Sequence, residues 1–464
     1  MTLGQGIFIN AAMKLFSTDG VRGTANTFPM TVEVVAKIAM AAGHLLRPSG
    51  QAQPLVLIAK DTRLSGYVFE PALVAGFASV GWNVQLLGPL PTPAVAALTT
   101  SLRAQAGVMI SASHNPYIDN GLKIFGPDGF KISPEQEAEI EGLVDNLFTN
   151  CGQELLSAPT DLGRVSRLDG SVGAGGRYIE LAKSSFPEDL NLFGMKIVID
   201  CAHGAGYRVA PSVLHELGAE VVTMAVSPDG TNINDQVGAM APQALQERVL
   251  AEGADLGIAL DGDADRLVFV DERGVVVDGD QILATLAQFL QQTGRLTGGA
   301  VVATVMSNRG LETFLEGLGL RLIRTPVGDK HVVRAMRAAG VNLGGEQSGH
   351  MILSDYSTTG DGLVSALQVL AVMRRRGLCA SQATGCFKPW PQAQRSLYFD
   401  GASPLDTPGV QAAIAQIEVD LEPQGRLVVR KSGTQALIRL MVEAQDAGQV
   451  TAALDGLEAA LTAA

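Results

Sequence analysis

The sequence predicts an α/β protein built from three repeated α/β units and a smaller α+β unit at the C-terminal end. Three observations support this class. The chain has 464 residues, too many for a single compact core, so about three or four domains are expected. Short Val/Ile/Leu-rich runs are followed three times by helical patterns, which is the signature of buried, mostly parallel strands joined by crossover helices. From about Phe387 the pattern changes to paired strand-like runs between helix-like segments.

The first unit holds "LVLIAKD" at Leu55 to Asp61, a helix-like stretch to about Ser79, and then "VQLLG". The second begins with "MKIVIDCAHGAG" from Met195, continues through a helix near Pro211 to Leu217, and reaches "EVVTMAV". The third reads "AVVATVMSN" from Ala300, then "GLETFLEGLG" and "LRLIRTPVG". Repeats separated by ~100 residues or more fit separate domains better than one large sheet. The tail carries "GRLVVRKSGTQALIRLMVEA". Boundaries are expected near Leu162, Arg273 and Cys386, dividing the chain into units 1–163, 164–275, 276–385 and 386–464. Residues 1–12 carry no periodic pattern and Met13 opens a better-formed segment, so a tag or an early start is the expectation for that extension.

Apolar residues make up 47% and charged residues 17%, an ordinary globular balance, and the formal net charge is −13. A polyanion or an acidic membrane is usually met by a basic surface, so neither is an expected partner; an anionic small molecule stays open where cations gather locally. Cys151, Cys201, Cys379 and Cys386 form no C-x-x-C pair and no zinc-like spacing, which suits free thiols in a reducing compartment. No run approaches the ~18 apolar residues of a membrane span and no signal-peptide pattern is present, so the expected location is the cytoplasm.

Four loops carry chemistry. In "VMISASHNPYIDNGLKIFG", Val108 to Gly126, Ser113 ends a strand and enters a turn, so its hydroxyl is expected to be exposed, with His114, Asn115 and Lys123 as candidates to surround it. A serine that only caps a helix is the bland alternative. The second loop, "DGDADR", places Asp261, Asp263 and Asp265 at alternate positions, offering hard oxygen ligands to a divalent cation; a solvated acidic turn is the alternative. An EF-hand is excluded although Glu272 stands at its twelfth position, because Arg266 fills the sixth, which requires glycine, and "LVFV" runs on as a buried strand. Few ligands and an open coordination shell favour Mg2+.

The third loop, "GGEQSGH" from Gly344 to His350, combines Glu346, Gln347, Ser348 and His350 with glycines that permit close backbone approach, an inventory suited to a sugar. Such loops are common, and His350 pairing with a backbone group is the alternative. The fourth, "RKSGTQALIR", sets Ser432, Gly433 and Thr434 between Arg430 and Arg439, the parts that bind a phosphate dianion; an ordinary hairpin turn is the alternative. Neither a G-x-S-x-G elbow nor a Walker A sequence is present, which argues against an acyl-transfer hydrolase and the usual nucleotide site. What remains is a serine that exchanges a phosphoryl group across Mg2+ held by the aspartates, chemistry that needs little beyond positioning and charge neutralisation.

These loops, with "TDGVRG" and "KDTRLSG" upstream, closely resemble the α-D-phosphohexomutase superfamily, and within it the bacterial phosphoglucosamine mutases, in the same order and over nearly the whole chain from Met13. The resemblance implies a four-domain phosphohexomutase architecture around a central cleft, each domain lending one loop. It implies that Ser113 is a phosphoserine serving a hexosamine phosphate, that a sugar 1,6-bisphosphate acts as intermediate and primer, and that one Mg2+ is held by Asp261, Asp263, Asp265 and a phosphoserine oxygen. Lys123 and His114 match residues that assist proton transfer and charge balance, and Arg22 and Arg266 match cations near the reacting phosphate. Glu346 and Ser348 match sugar contacts, and Arg430, Ser432, Gly433, Thr434 and Arg439 match the distal phosphate clamp. Gln347 is where the amino-sugar preference leans most, and a homodimer through the first domain is implied. Ala264, Gln435 with Ala436, Ser17 and Lys330 depart from the family's pattern; a left-handed backbone at Ala264 would cost about 1 kcal/mol or slightly more. The alternatives are a phosphoglucomutase or phosphomannomutase, and a non-catalytic sugar-phosphate binder.

Overall fold

The computed structural model describes residues 14–17, 19–50, 53–149, 153–168, 173–400, 403–431 and 436–462. Four sheets follow one another along the chain. The first has seven strands, in spatial order Phe16–Ser17, Gly20–Thr24, Asp119–Phe125, Ala106–Ile110, Leu55–Lys60, Asn83–Pro89 and Val165–Arg167. Its centre is the crossover pattern expected from the sequence: Leu55–Lys60 lies parallel to both Ala106–Ile110 and Asn83–Pro89, with helices Val32–Leu45 and Gly66–Ser79 packed together on it. Val165–Arg167 adds in parallel to the edge strand Asn83–Pro89. The expected boundary at 163 therefore falls short; three exposed residues with no apolar alternation gave no sign of a strand.

The second sheet orders Val276–Val277, Leu267–Asp271, Leu256–Leu260, Lys196–Asp200 and Glu220–Met224. The third orders Arg321–Thr325, Ala300–Thr304, Leu343–Gly345 and Met351–Leu353. The fourth is antiparallel, with Leu437–Ala444 between Gln392–Tyr398 and Gly425–Lys431, and it is covered by helices Pro408–Leu421 and Ala447–Thr462. One apolar core runs unbroken through the first three units, from Leu57 and Met109 through Ile197 and Ile258 to Val301 and Leu343. Each such fully buried side chain contributes roughly 1.5–3 kcal/mol. The fourth unit keeps its own core around Val410, Leu440, Val442 and Leu457.

One rule places most of the candidate residues. In every sheet the loop singled out in the sequence is the hairpin between two adjacent antiparallel strands: Ala106–Ile110 with Asp119–Phe125, Leu256–Leu260 with Leu267–Asp271, Leu343–Gly345 with Met351–Leu353, and Gly425–Lys431 with Leu437–Ala444. These antiparallel hairpins carry most of the candidate residues, while Arg22 comes from the strand Gly20–Thr24. Among the described residues no helix is long and apolar enough to cross a membrane. Cys201, Cys379 and Cys386 are free, as expected; Cys151 lies outside the described residues.

Candidate active site

The hairpin after Leu260 brings the three aspartates together. Asp261, Asp263 and Asp265 are buried, and each offers a carboxylate oxygen within 4.8 Å of the others. The turn needs a left-handed residue, and Ala264 supplies it at φ 57°, the conformation for which a Cβ costs about 1 kcal/mol. Gly262 sits where a Cβ would lie 2.5 Å from the Ser113 carbonyl oxygen, so only glycine lets the aspartate hairpin approach the serine loop this closely.

Ser113 is not exposed as expected but 1% accessible, because the second unit's hairpin closes over it. Its Oγ donates to Asp261 Oδ2 at 2.6 Å. Lys123, from the strand that returns beside it, donates Nζ to Asp263 Oδ2 at 2.7 Å and to Asp265 Oδ2 at 2.8 Å, and lies 3.3 Å from Asp19. Burial opposes the Lys123 charge, yet Asp19, Asp263 and Asp265 outweigh it and raise its pKa well above the usual lysine value. Burial, reinforced by the neighbouring carboxylates, pushes Asp261 up to about 8. Burial would also raise Asp265, but Lys123 and His350 hold it well below the carboxylate range. Asp263 Oδ1 and Asp265 Oδ1 are buried with no hydrogen-bond partner. Three hard carboxylates, two with an unspent oxygen and one sharing a hydroxyl hydrogen with Ser113, fit a divalent cation.

The third hairpin leans on the second. Leu267 N–H donates to the Gly349 carbonyl at 3.0 Å. A Cβ at Gly349, whose φ is 90°, would meet the Leu267 carbonyl oxygen at 2.0 Å. His350 lies 3.7 Å from Asp265 and 3.9 Å from Asp329. Burial disfavours its charge, but Asp265, Asp329 and Glu346 prevail and raise its pKa. Glu346 accepts from Gly328 N–H at 3.0 Å. On the fourth hairpin Arg430 and Arg439 are register partners on neighbouring strands, so they share a face. Burial and the facing Arg439 charge lower the Arg430 pKa, a repulsion that a bound dianion would relieve.

These groups surround a cleft of about 470 Å3 lined from all four units: Asp19, Arg22 and His114 from the first, Asp265 and Arg266 from the second, Asp329, Glu346 and His350 from the third, and Arg430, Lys431 and Arg439 from the fourth. Ser113, Lys123, Asp261 and Asp263 lie buried beside it. Two expected sugar contacts are placed differently. Gln347 turns away, its Nε2 donating to Gln392 Oε1 at 3.1 Å and reaching Asp278 at 3.5 Å; Ser348 Oγ donates to Glu346 Oε2 at 3.3 Å and does not line the cleft. Ser432, Gly433 and Thr434, expected in the phosphate clamp, lie outside the described residues. Glu272 serves the structure, accepting from Ser381 N–H at 3.0 Å and from its hydroxyl.

Several cleft groups were not singled out from sequence. Asp19 pairs with Arg22 and Lys131, and Lys131 also pairs with Asp329. Thr92 donates its hydroxyl to Asp263 Oδ2. Asp19 stands inside the quoted motif "TDGVRG" and was legible there; Asp329 directly follows "LRLIRTPVG", and Lys131 and Thr92 belong to no motif.

A serine set against a buried carboxylate cluster, beside a cleft lined from all four units and carrying Arg22, Arg266, Arg430, Lys431 and Arg439, defines a phosphoryl-transfer enzyme acting on a small phosphorylated substrate. The chain belongs to the phosphoglucomutase/phosphomannomutase family: its alpha/beta/alpha domains I, II and III match residues 13–150, 177–274 and 278–389, and its C-terminal domain matches 398–459. Relatives named phosphoglucosamine mutase include that of Rhodospirillum centenum, 57% identical over 97% of this chain and 95% of its own, and that of Caulobacter vibrioides, 56% identical over 97% and 99%. Among solved structures, a phosphoglucomutase/phosphomannomutase family protein from Burkholderia thailandensis shares the fold, with a TM-score of 0.79 at 22% identity over 97% of this chain and 98% of that one. So does Aspergillus fumigatus N-acetylphosphoglucosamine mutase, solved with GlcNAc-6P and magnesium, with a TM-score of 0.67 at 18% identity over 96% of both chains.

One prediction arises from the cluster itself. Asp261 holds a proton in the fold up to about pH 8, whereas an unfolded aspartate loses it near 3.9. The folded state thus binds more protons between those values, and stability without metal falls as pH rises through them. A cation that replaces the proton gains accordingly, so the rise in Tm on adding Mg2+ is expected to be larger at about pH 9 than at about pH 6. Asp261→Asn should flatten that difference, as thermal scans with and without Mg2+ would read directly.

Proposed function

We propose that the chain is a phosphoglucosamine mutase, interconverting glucosamine 6-phosphate and glucosamine 1-phosphate through a phosphoserine at Ser113 and a sugar 1,6-bisphosphate that turns around in the cleft. The observation that carries this is the Ser113 hydroxyl seated 2.6 Å from Asp261 within the carboxylate cluster beside that cleft. Asp261, Asp263 and Asp265 would hold Mg2+, which when bound neutralises the carboxylates and polarises the phosphoryl oxygens.

The chain's own groups divide the rest of the work. Arg22 and Arg266 line the cleft beside His114 and stay charged, fixing positive charge where phosphoryl oxygens gather negative charge. Lys123, locked between carboxylates, supplies fixed charge and keeps its proton. His114 lines the cleft beside the two arginines as a neutral group. Burial, then Arg266 and Arg22, lower its pKa to about 4, so its imidazole is neutral near pH 7, and its Nδ1 has no partner. Glu346 and His350 meet sugar hydroxyls, and Arg430 with Arg439 receives the phosphate that is not reacting. Because that clamp is fixed while the sugar reverses, either phosphate fits it. The bisphosphate also primes an unphosphorylated enzyme. In this reading the product feeds UDP-N-acetylglucosamine and cell-wall precursor synthesis, and the enzyme works in the cytoplasm as a homodimer joined through its first unit.

Gln347 faces Gln392 rather than the cleft, so the preference for an amino sugar is supported by the relatives more than by that residue, and glucose and mannose phosphates are the competing substrates. Assaying the three hexose 6-phosphates side by side with one bisphosphate primer decides the matter: glucosamine 6-phosphate should have the highest kcat/KM, and a clear preference for glucose or mannose phosphate would overturn the assignment. Arg439→Ala is expected to lose roughly 1.5–3 kcal/mol of phosphate binding, seen as a KM raised about 10- to 100-fold with kcat much less changed.

A further inference from the structure

Resting on that assignment of Ser113, we infer that Arg63 and Asn234 are positioning residues that grip the carbonyl groups of the serine loop from two domains at once and so set where the Ser113 hydroxyl points. Ser113 has φ 52°, a left-handed backbone that a residue with a Cβ disfavours. Something must hold it there. Arg63 is 1% exposed and spends all five guanidinium N–H groups. Nε donates to Asp61 at 2.8 Å, Nη1 to the carbonyls of Pro116 and, at 2.9 Å, Asp119, and Nη2 to those of Ser113 and Asn115 at 2.9 and 2.8 Å.

Asn234, from the second unit, gives its Nδ2 hydrogens to the same two carbonyls, Ser113 at 2.9 Å and Asn115 at 3.1 Å. The amide side of the loop is fixed as well: Ser113 N–H donates to Ser111 Oγ at 2.9 Å, and Ser111 Oγ donates to Asp61 Oδ2 at 2.7 Å. With the Ser113, Asn115, Pro116 and Asp119 carbonyls turned toward the clamp, the hydroxyl is left facing Asp261.

The second unit is built to present Asn234. Asp200 accepts from Ala202 N–H at 2.9 Å and from Gly238 N–H at 2.7 Å, tying together the two ends of the segment that carries Asn234. Asn234 N–H donates to the Ala202 carbonyl at 2.9 Å, and Thr62, next to Arg63, donates its hydroxyl to the His203 carbonyl. Ala202, His203, Asn234 and Gln236 are all left-handed, like Ser113. Unfavourable backbone conformations thus collect where the two domains meet behind the nucleophile, as expected where an orientation is imposed by surrounding structure. The same contacts make the nucleophile's orientation depend on docking of the second domain.

The test uses the full-length enzyme with Mg2+ and a glucose 1,6-bisphosphate primer, comparing wild type with Asn234→Ala, Asn234→Asp and Arg63→Lys. Asn234→Asp keeps the side chain's size but turns both donors into acceptors facing carbonyls. The expected result is a fall in kcat of about 10²-fold, larger for Asp than for Ala, with KM changed less than about threefold. The single-turnover rate of Ser113 phosphorylation should fall by the same factor, and it should fall in Arg63→Lys as well, where a point charge stands in place of a fork. Hydrogen exchange of the peptide spanning residues 111–121 should quicken while the fourth unit is unchanged. Normal serine-loop exchange and an unchanged single-turnover rate in a folded Asn234→Asp variant would overturn the clamp. A wild type that never phosphorylates Ser113 would sink the functional assignment instead, and the exchange measurement would still decide on the clamp.

Discussion

Replacing Ser113 with alanine is expected to lower turnover by at least about 10³-fold while substrate binding, measured by calorimetry, changes no more than a few fold. Among the described residues, Ser111 Oγ is committed to Asp61 and Thr92 Oγ1 to Asp263, so neither is free to take the place of the Ser113 hydroxyl. The cleft wall proposed to bind sugar and phosphate, including Arg22, Glu346, His350, Arg430 and Arg439, is untouched by the change. Nor does the substitution alter the local backbone demand, since alanine and serine meet the same obstacle at φ 52°. A loss of binding matching the loss of rate would mean that Ser113 shapes the site rather than carries a phosphoryl group.

Lys123→Met should have the next largest effect, and its size depends on metal. The lysine is the buried cation that two aspartates of the cluster and Asp19 share. Removing one partner of such a group typically costs 3–5 kcal/mol, because the remaining charges are stranded away from water. Urea unfolding without divalent cation is therefore expected to show a loss of about that size, smaller at low pH, where carboxylates take up protons. Adding Mg2+ should restore most of the stability but not the rate, which stays depressed about 10²-fold for want of the fixed charge. An unfolding midpoint indifferent to both lysine and Mg2+ would count against a cation-dependent cluster.

How much of this was legible depended on sequence distance. The candidate groups of each loop were readable because they fall within a few consecutive residues, as "DGDADR" packs three aspartates into five positions. The α/β class was readable from the strand runs around Leu55, Met195 and Ala300, which are buried on both faces. That the loops would be hairpins between antiparallel strands was not, because a fully apolar strand such as Leu256–Leu260 looks the same whichever way its neighbour runs. Burial of Ser113 was missed for a related reason: it comes from Gly262 and Asn234, some 120 or more residues away in sequence. The direction of Gln347 likewise depends on Gln392 in the next unit. Val165–Arg167 joins its sheet through backbone pairing alone, which leaves no mark in an exposed three-residue stretch.

The most direct measurement is peptide-level mass spectrometry of the enzyme after charging with a hexose bisphosphate and again after adding glucosamine 6-phosphate. A single added phosphoryl group on the peptide containing Ser113, discharged by the monophosphate, is the predicted result. A phosphoryl group on any other residue, or one on Ser113 that the substrate cannot remove, would contradict the claim that the protein itself holds the phosphate while the sugar reverses.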